Sequence, residues 1–351
     1  MERQRWIDIC KGIAIILVVI GHVVTSYHNS GLFTESPVFN YVGGVIYAFH
    51  MPLFFMISGY VNRISYHSDA KQIISKRLIS YGFPYIIFSV LIVLAKMIAS
   101  PFVNSKLGIL DLFKIIWYPI NSLWFLYALL VISVVHELLN VLIKEPSKKS
   151  YMLMISSFFL LIIANLVNDD KLFPNSLLQD SILIDVLMYA FWYELGTVLP
   201  VEKMVSRINT NNRITSSIII VVCFVVYITA IIKLQKHQFD ILPLNCVLAF
   251  VGSALICFLS LVIKQSNVLE TLGRTTLPIY IIHPYIVSGL KVALHHTHIL
   301  DSMDVLIIVA VSTITVLLSF VGYKIVKKYK VFDFCFYPLR YMNEKKRQRE
   351  G

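Results

Sequence analysis

The segment RWIDICKGIAIILVVIGHVVTS, residues 5–26, decides the fold because it is almost entirely apolar. A helix needs about 20 predominantly apolar residues to cross the hydrocarbon core of a bilayer. The chain of 351 residues is 57% hydrophobic and 15% charged, whereas a soluble domain averages roughly 45–50% and 25%. A soluble fold of this size has too little interior to bury so many apolar side chains. The composition therefore predicts an integral membrane protein and excludes a soluble or disordered chain.

Nine further segments are also apolar and long enough to span: 41–60, 79–99, 122–143, 151–168, 181–199, 214–233, 243–263, 276–294 and 303–326. The predicted fold is an all-α polytopic membrane protein with about ten transmembrane helices. We expect a transmembrane domain over residues 1–326 and a basic tail over residues 327–351. The first segment resembles a signal peptide, but it has no small-residue cleavage site and contains charged residues, so we expect a retained helix.

The distribution of basic residues predicts the orientation. With the N-terminus in the cytoplasm, 23 of the 31 Lys and Arg lie on the cytoplasmic side or at that edge of a span, five lie in outer loops or at the outer edge of a span, and three lie further inside spans. Because cytoplasmic loops carry an excess of Lys and Arg, we expect both termini in the cytoplasm of a multi-pass inner or plasma membrane protein. The net charge of +11 then favours contact with anionic lipid headgroups, above all by the tail, rather than with nucleic acid.

The cysteine and histidine patterns do not predict a metal site. The five cysteines include no CxxC pair, so we interpret them as small core residues. The outer-loop residues His295, His296 and His298 could bind a metal, but no carboxylate or cysteine lies at ligand spacing around them. A solvated loop is the preferred interpretation, and no metal is expected.

The first span carries three ionisable residues, Asp8, Lys11 and His22. At 3.6 residues per turn, Lys11 and His22 project from the same helix face about 16 Å apart along the axis. Asp8 lies close to that face, so a polar stripe crosses much of the membrane. Asp8 and Lys11 could instead snorkel to the interface, whereas His22 is too deep to do so readily. Since ionisable groups in hydrocarbon are costly, all three are candidate functional residues.

Two further segments carry polar candidates. His50 lies near the middle of the second span, close to Pro52, where it could serve function or simply bond a neighbouring helix. Lys76 and Arg77 precede the third span, which Gly82 and Pro84 interrupt. This pair could retain loop topology or bind the phosphates of a cytosolic ligand.

Other polar residues inside the spans are weaker candidates. They are Glu194 near an inner edge, His283 before Pro284, and the pair His136–Glu137. Their residue types leave open whether they are catalytic or structural.

The histidines point to proton transfer, because a buried histidine can act as a general base. The sequence has no GxSxG elbow, P-loop or HExxH motif that would indicate hydrolysis by an activated serine, nucleotide binding or zinc protease chemistry. Group transfer across the bilayer fits what is present. An activated donor would bind from the cytosol and a hydroxyl acceptor would approach from outside.

Several blocks together resemble the acyltransferase-3 family of membrane O-acyltransferases, which acylate sugars of surface glycans. They are residues 5–15 and 18–22, 49–55 with Ser58-Gly59, Lys76-Arg77 with Pro84-Tyr85, 122–126, and 277–280 with His283-Pro284. The first helix of the family carries Arg or Lys, ten residues, and then His, which Lys11 and His22 match. Some members carry two arginines at RxxR spacing, whereas Lys76 and Arg77 are adjacent.

The resemblance implies a donor, usually acetyl-CoA, that enters from the cytosol, and a glycan hydroxyl as acceptor. It implies catalytic roles for His22 as proton acceptor and for Lys11, which would also help to position the donor. Lys76 and Arg77 would help to hold the CoA phosphates. We expect Asp8 to orient Lys11 and His50 to position substrate. The alternatives are another acceptor, such as an amino acid or lipid-linked sugar, another donor, such as succinyl-CoA, and a secondary transporter.

Overall fold

A computed structural model describes ten stretches of the chain: residues 4–28, 37–64, 69–98, 108–120, 123–143, 146–168, 181–200, 213–236, 242–295 and 304–350. Within these stretches every regular element is a helix, and no strand occurs. The prediction of an all-α polytopic membrane protein is confirmed. The histidine-rich loop at 296–298 lies outside the described residues.

The helices follow one another along the chain as α1 (Arg5–His28), α2 (Pro37–Tyr47), α3 (His50–Ile64), α4 (Ala70–Arg77), α5 (Phe83–Ile98), α6 (Asp111–Lys114), α7 (Trp124–Leu142), α8 (Pro146–Val167), α9 (Ile182–Val198), α10 (Arg213–Lys236), α11 (Leu242–Ile263), α12 (Asn267–Arg274), α13 (Thr276–His295), α14 (Asp304–Val326), α15 (Lys330–Phe336) and α16 (Pro338–Glu350). A π-helical turn, Leu78–Gly82, joins α4 to α5.

Eight helical segments of the described chain are long and apolar enough to cross a membrane. They are Arg5–His28, Tyr41–Ile64, Ala70–Ile98, Trp124–Leu142, Lys148–Val167, Leu242–Ile263, Thr276–Leu294 and Val305–Val326. The other two predicted spans also fold as helices. The α9 helix has 17 residues, and the apolar part of α10 is Val221–Lys233. The count of ten spans, the orientation of the termini and the boundary at residue 326 stay predictions.

The second and third predicted spans differ in detail from what the sequence predicts. Two turn residues, Ala48 and Phe49, separate α2 from α3, so His50 begins a helix instead of lying inside one. Pro52 then lies in the first turn of α3, where its missing N–H costs no intrahelical hydrogen bond. The helical path through Gly82 and Pro84 is uninterrupted, because the π-helical turn absorbs the irregularity there.

The chain divides into two compact units, residues 1–54 with 200–325, and residues 55–199 with 326–351. In the first unit α1 packs against α2, α11, α12 and α13, and most of its residues are buried. The neighbours of α1 are protein helices, which can satisfy polar groups in its first turns.

Two glycines bring α1 and α12 into backbone contact. A Cβ added at Gly12 would overlap the carbonyl oxygen of Leu269, and one at Gly273 would overlap the carbonyl oxygen of Asp8. Small residues permit this close approach, as they do at many membrane helix interfaces. The approach holds the Asp8–Lys11 turn of α1 against α12.

The second unit uses the same device between α3 and α9. A Cβ at Gly59 would overlap the carbonyl oxygen of Tyr193, and one at Gly196 would overlap that of Met56. Aromatic rings fill the space nearby, and Phe55 stacks on Tyr189 with 4.8 Å between ring centroids. The close approach brings the polar ends of α3 and α9 together.

Candidate active site

Three polar residues of the first unit form a histidine cluster, which we define as His22, His50 and His283. The rings of His22 and His283 meet edge to face, with 4.9 Å between centroids and 73° between planes. His50 is close enough to His22 to interact with it electrostatically. His22 is partly exposed, whereas His50 and His283 are buried. The fold therefore brings three histidines together from α1, α3 and α13, and leaves His22 the most accessible of them.

Both buried histidines are held in the same way. His283 Nδ1 donates to the carbonyl oxygen of Ile279 at 2.9 Å, and His50 Nδ1 donates to that of Ile46 at 2.9 Å. Each carbonyl lies four residues earlier in the chain. Because a carbonyl oxygen can only accept, Nδ1 carries the proton in each ring, and Nε2 of the neutral imidazole is an acceptor. The two rings thus present acceptor nitrogens.

The candidates in the N-terminal turns of α1 lie against α12. Asp8 is buried and accepts a hydrogen bond from Arg274 Nε at 3.2 Å. Arg274 also pairs with Glu270 at 3.1 Å. Lys11 is half-buried one turn further along α1. The structure therefore places the Arg274–Glu270 pair of α12 beside the polar stripe that the sequence predicted for α1.

The predicted phosphate-binding pair belongs to the second unit, and its members differ in environment. Lys76 is exposed, whereas Arg77 is half-buried. Arg77 Nη2 donates to Asn62 Oδ1 at 2.6 Å, and its Nη1 donates to the hydroxyl oxygen of Tyr81 at 3.2 Å. Arg77 is thus engaged by protein groups, and Lys76 is the more exposed member of the pair.

A buried network surrounds Arg77 in the second unit. Asn62 Nδ2 donates to Glu137 Oε1 at 2.8 Å, so the amide of Asn62 bridges Arg77 and Glu137. The second oxygen of Glu137, the Nε of Arg77 and the hydroxyl of Tyr193 are buried with no hydrogen-bond partner. Such a group of unpaired polar atoms is rare in folded proteins, and ordered water is the usual partner.

The weaker candidates His136 and Glu194 form a buried pair. His136 Nδ1 donates to both carboxylate oxygens of Glu194, at 2.8 and 3.0 Å. The side chains are 6% and 7% exposed. The amide nitrogen of Asn140 lies 2.6 Å from His136 Nε2. These contacts indicate that the pair stabilises the packing of α7 against α9.

We expect Glu194→Ala to destabilise the protein by about 3–5 kcal/mol, because removal of one member of a buried pair leaves its partner uncompensated. Glu194→Gln should destabilise the protein less, since its amide oxygen still accepts a hydrogen bond from His136. The measurement is the thermal unfolding of the detergent-solubilised protein. The control is Asp111→Ala, which removes an exposed pair with Lys114 at 2.8 Å. Equal unfolding temperatures for Glu194→Ala and the control would contradict the prediction.

The described residues contain no group of three or more His, Cys, Asp or Glu side chains placed to hold a metal ion. All five cysteines are free thiols. The sulfur atoms of Cys10 and Cys257 approach to 3.9 Å between α1 and α11.

Sequence reasoning underrated His283 and missed Arg274 and Glu270. The i,i+4 spacing of Glu270 and Arg274, after the helix-capping residue Ser266, is a signal that could have revealed the short helix α12 and its ion pair. His283 had a signal in its position before Pro284 in the middle of a span. Its contact with His22 joins residues 261 positions apart, which no local pattern predicts.

Comparisons with known proteins identify a family and two relatives that this chain resembles. Residues 4–324 match the family model described as an acyltransferase domain. Nodulation protein NolL of Sinorhizobium fredii is 35% identical over 133 residues, which are 37% of this chain and 34% of that protein. Nodulation protein NolL of Mesorhizobium japonicum is 32% identical over 131 residues, 36% of this chain and 33% of that protein. The matched stretch thus spans about a third of the length of these curated relatives. No solved structure matches the chain.

Proposed function

The chain belongs to the acyltransferase-3 family, whose model matches residues 4–324, and on that premise we propose that it transfers an acetyl group from cytosolic acetyl-CoA to a hydroxyl group of a cell-envelope glycan. The observation that carries the proposal is the histidine cluster. A partly exposed His22 at membrane depth, beside buried neutral histidines, is a general base with access to a substrate.

The proposed reaction begins with proton removal from the acceptor. A ring nitrogen of His22 takes the proton of the acceptor hydroxyl as its oxygen attacks the thioester carbonyl carbon. The carbon–sulfur bond then breaks, and CoA leaves as the thiol after it receives the proton. A positioned general base of this kind contributes roughly 10²–10⁴-fold to a rate.

The other predicted residues take supporting roles in the proposal. Lys11, on the same face of α1 as His22, would position the donor and stabilise negative charge that develops on the thioester oxygen. Asp8, held by Arg274, would keep the Lys11 turn in place, and His50 would position substrate.

For the phosphates of CoA we propose Lys76 and Arg77, with Lys76 as the direct contact. Lys76 is exposed, whereas Arg77 donates to Asn62 and Tyr81. A lysine ammonium is a suitable point-charge ligand for a phosphate. A multi-pass protein of the inner or plasma membrane, with its basic tail on anionic headgroups, would meet acetyl-CoA on the cytosolic side.

Transfer of label tests the proposal directly. We expect the purified protein in proteoliposomes to pass the [¹⁴C]acetyl group of acetyl-CoA to envelope glycan extracted from cells that lack the protein. NMR of the same glycan from cells with and without the protein should show O-acetyl signals only when the protein is present. Equal labelling from succinyl-CoA would overturn the choice of donor. Uptake of solute without any label in carbohydrate would favour a secondary transporter and overturn the proposal.

Lys76→Ala should raise the KM for acetyl-CoA at least severalfold and leave the rate at saturating donor nearly unchanged, since it removes binding rather than chemistry. The matched control is Lys71→Ala, which removes another exposed lysine of α4. If both variants keep the wild-type KM, Lys76 does not hold the donor.

A further inference from the structure

The Nε2 atom of His283 is a buried acceptor without a hydrogen-bond partner. The side chain is fully buried, and its Nδ1–H is committed to the carbonyl oxygen of Ile279. Ring orientation and tautomer are therefore set, and Nε2 can only accept. A buried acceptor left unpaired costs about 1–3 kcal/mol, so Nε2 is a site that an N–H group of a neighbouring side chain would stabilise by hydrogen bonding.

His22 is a polar side chain in contact with the His283 ring. The ring centroids are 4.9 Å apart and the planes lie edge to face, so rotation of the partly exposed His22 ring is the movement that would bring its N–H group to Nε2. Hydrogen bonds between catalytic groups are often long or poorly aligned before substrate binds and tighten afterwards.

We propose that His283 is a positioning residue that accepts the N–H of His22 and so selects the His22 tautomer that serves as base; this inference rests on the proposed function of His22. A neutral imidazole has one N–H and one acceptor nitrogen. When the N–H of His22 faces His283, its other nitrogen is free to accept the proton of the substrate hydroxyl.

The same contact stabilises the state that follows proton transfer. The hydroxyl oxygen forms a bond to the thioester carbon, its proton moves to the free nitrogen of His22, and the carbon–sulfur bond breaks. The imidazolium then donates one N–H to His283 Nε2 and gives the other proton to the departing thiolate. The products are the acetyl ester and CoA thiol, and no further reactant is consumed.

A neutral histidine fits this role better than a carboxylate would in this buried place. An ionised carboxylate without a permanent cation would be costly at the depth of His283. Neutral Nε2 keeps the hydrogen-bond acceptor without a second buried charge. The carbonyl oxygen of Ile279, which holds Nδ1–H, corresponds in role to the groups that orient metal-ligating histidines, whose loss typically costs about 10–100-fold.

The test compares His283→Asn with His283→Gln. The amide of glutamine reaches about as far as Nε2, so its oxygen can replace the acceptor, whereas the shorter asparagine cannot. We expect His283→Asn to lose about 10–100-fold in label transfer from [¹⁴C]acetyl-CoA to extracted envelope glycan at saturating donor, with the KM for acetyl-CoA unchanged. His283→Gln should recover most of the rate. Ser288→Ala, an exposed position on the same helix, is the control.

A second measurement needs no variant at position 283. Histidine ¹⁵N NMR of the wild-type protein should show the Nδ1–H tautomer for His283 as well as for His50, and His22→Gln should shift the Nε2 resonance of the His283 ring. A His283 ring protonated at Nε2 would overturn the inference. So would wild-type transfer rates in both position-283 variants, or equal losses in the two. If wild-type protein transfers no acetyl group, the proposed function fails instead, and the NMR experiment still tests the histidine pair.

Discussion

His22→Ala is expected to reduce acetyl transfer by at least about a hundredfold while the protein stays folded, because it removes the general base from the histidine cluster. The side chain of His22 is partly exposed, so its truncation leaves no large cavity in the core. The rate of label transfer from [¹⁴C]acetyl-CoA to extracted glycan is the measurement. Thermal unfolding in detergent and the gel-filtration profile verify the fold.

The matched control for this prediction is His28→Ala, which removes another histidine from the same helix at its last residue. His28 lies almost two turns beyond His22 and has no place in the proposed reaction, so its variant should transfer label at the wild-type rate. Full transfer by well-folded His22→Ala protein would refute the assignment of His22 as base.

Gly273→Ala and Gly12→Ala are expected to lower stability and activity together. A methyl group at either position would overlap a backbone carbonyl oxygen, of Asp8 and Leu269 respectively, and a backbone cannot rotate away as a side chain can. Overpacking of this kind costs typically about 1–3 kcal/mol and occasionally more. Because the displaced turn carries Asp8 and Lys11, acetyl transfer should fall with stability. The rate of label transfer and the unfolding temperature are measured on the same preparations.

Two other helical glycines provide the controls. A Cβ at Gly289 or Gly322 would meet nothing within 4 Å, and alanine has a higher helix propensity than glycine by about 1 kcal/mol. Gly289→Ala and Gly322→Ala should therefore unfold at or slightly above the wild-type temperature. Equal unfolding temperatures for all four variants would show that α1 and α12 are not in tight backbone contact.

The helices and the polar stripe of α1 were predictable because both depend on local sequence. Hydropathy over about 20 residues predicts a span whatever its neighbours, and the 3.6-residue repeat places Lys11 and His22 on one face. The break before His50 was less predictable. His50 and Pro52 lie within an apolar run, and only the turn at Ala48–Phe49 shows that a new helix begins there.

The partners of the polar side chains were not predictable from the same reasoning. Asp8 was expected to orient Lys11, and the structure places Arg274, 266 residues away, beside it. Glu194 and His136 were separate weak candidates, and they form one pair across 58 residues. Such contacts depend on which helices pack together, and hydropathy carries no information on helix neighbours.

Residue type and spacing alone thus predicted a polytopic helical membrane protein. They also predicted a histidine at membrane depth and a lysine on the same helix face, because burial cost and helix periodicity act on each segment separately. Three features arise from the packing of α1 on α12 and α13. They are the ring contact of His22 with His283, the ion pair of Asp8 with Arg274, and the close backbone contacts at the glycines. They rest on close backbone approach and on buried hydrogen bonds between distant segments. These interactions stabilise the folded protein only after the helices have assembled.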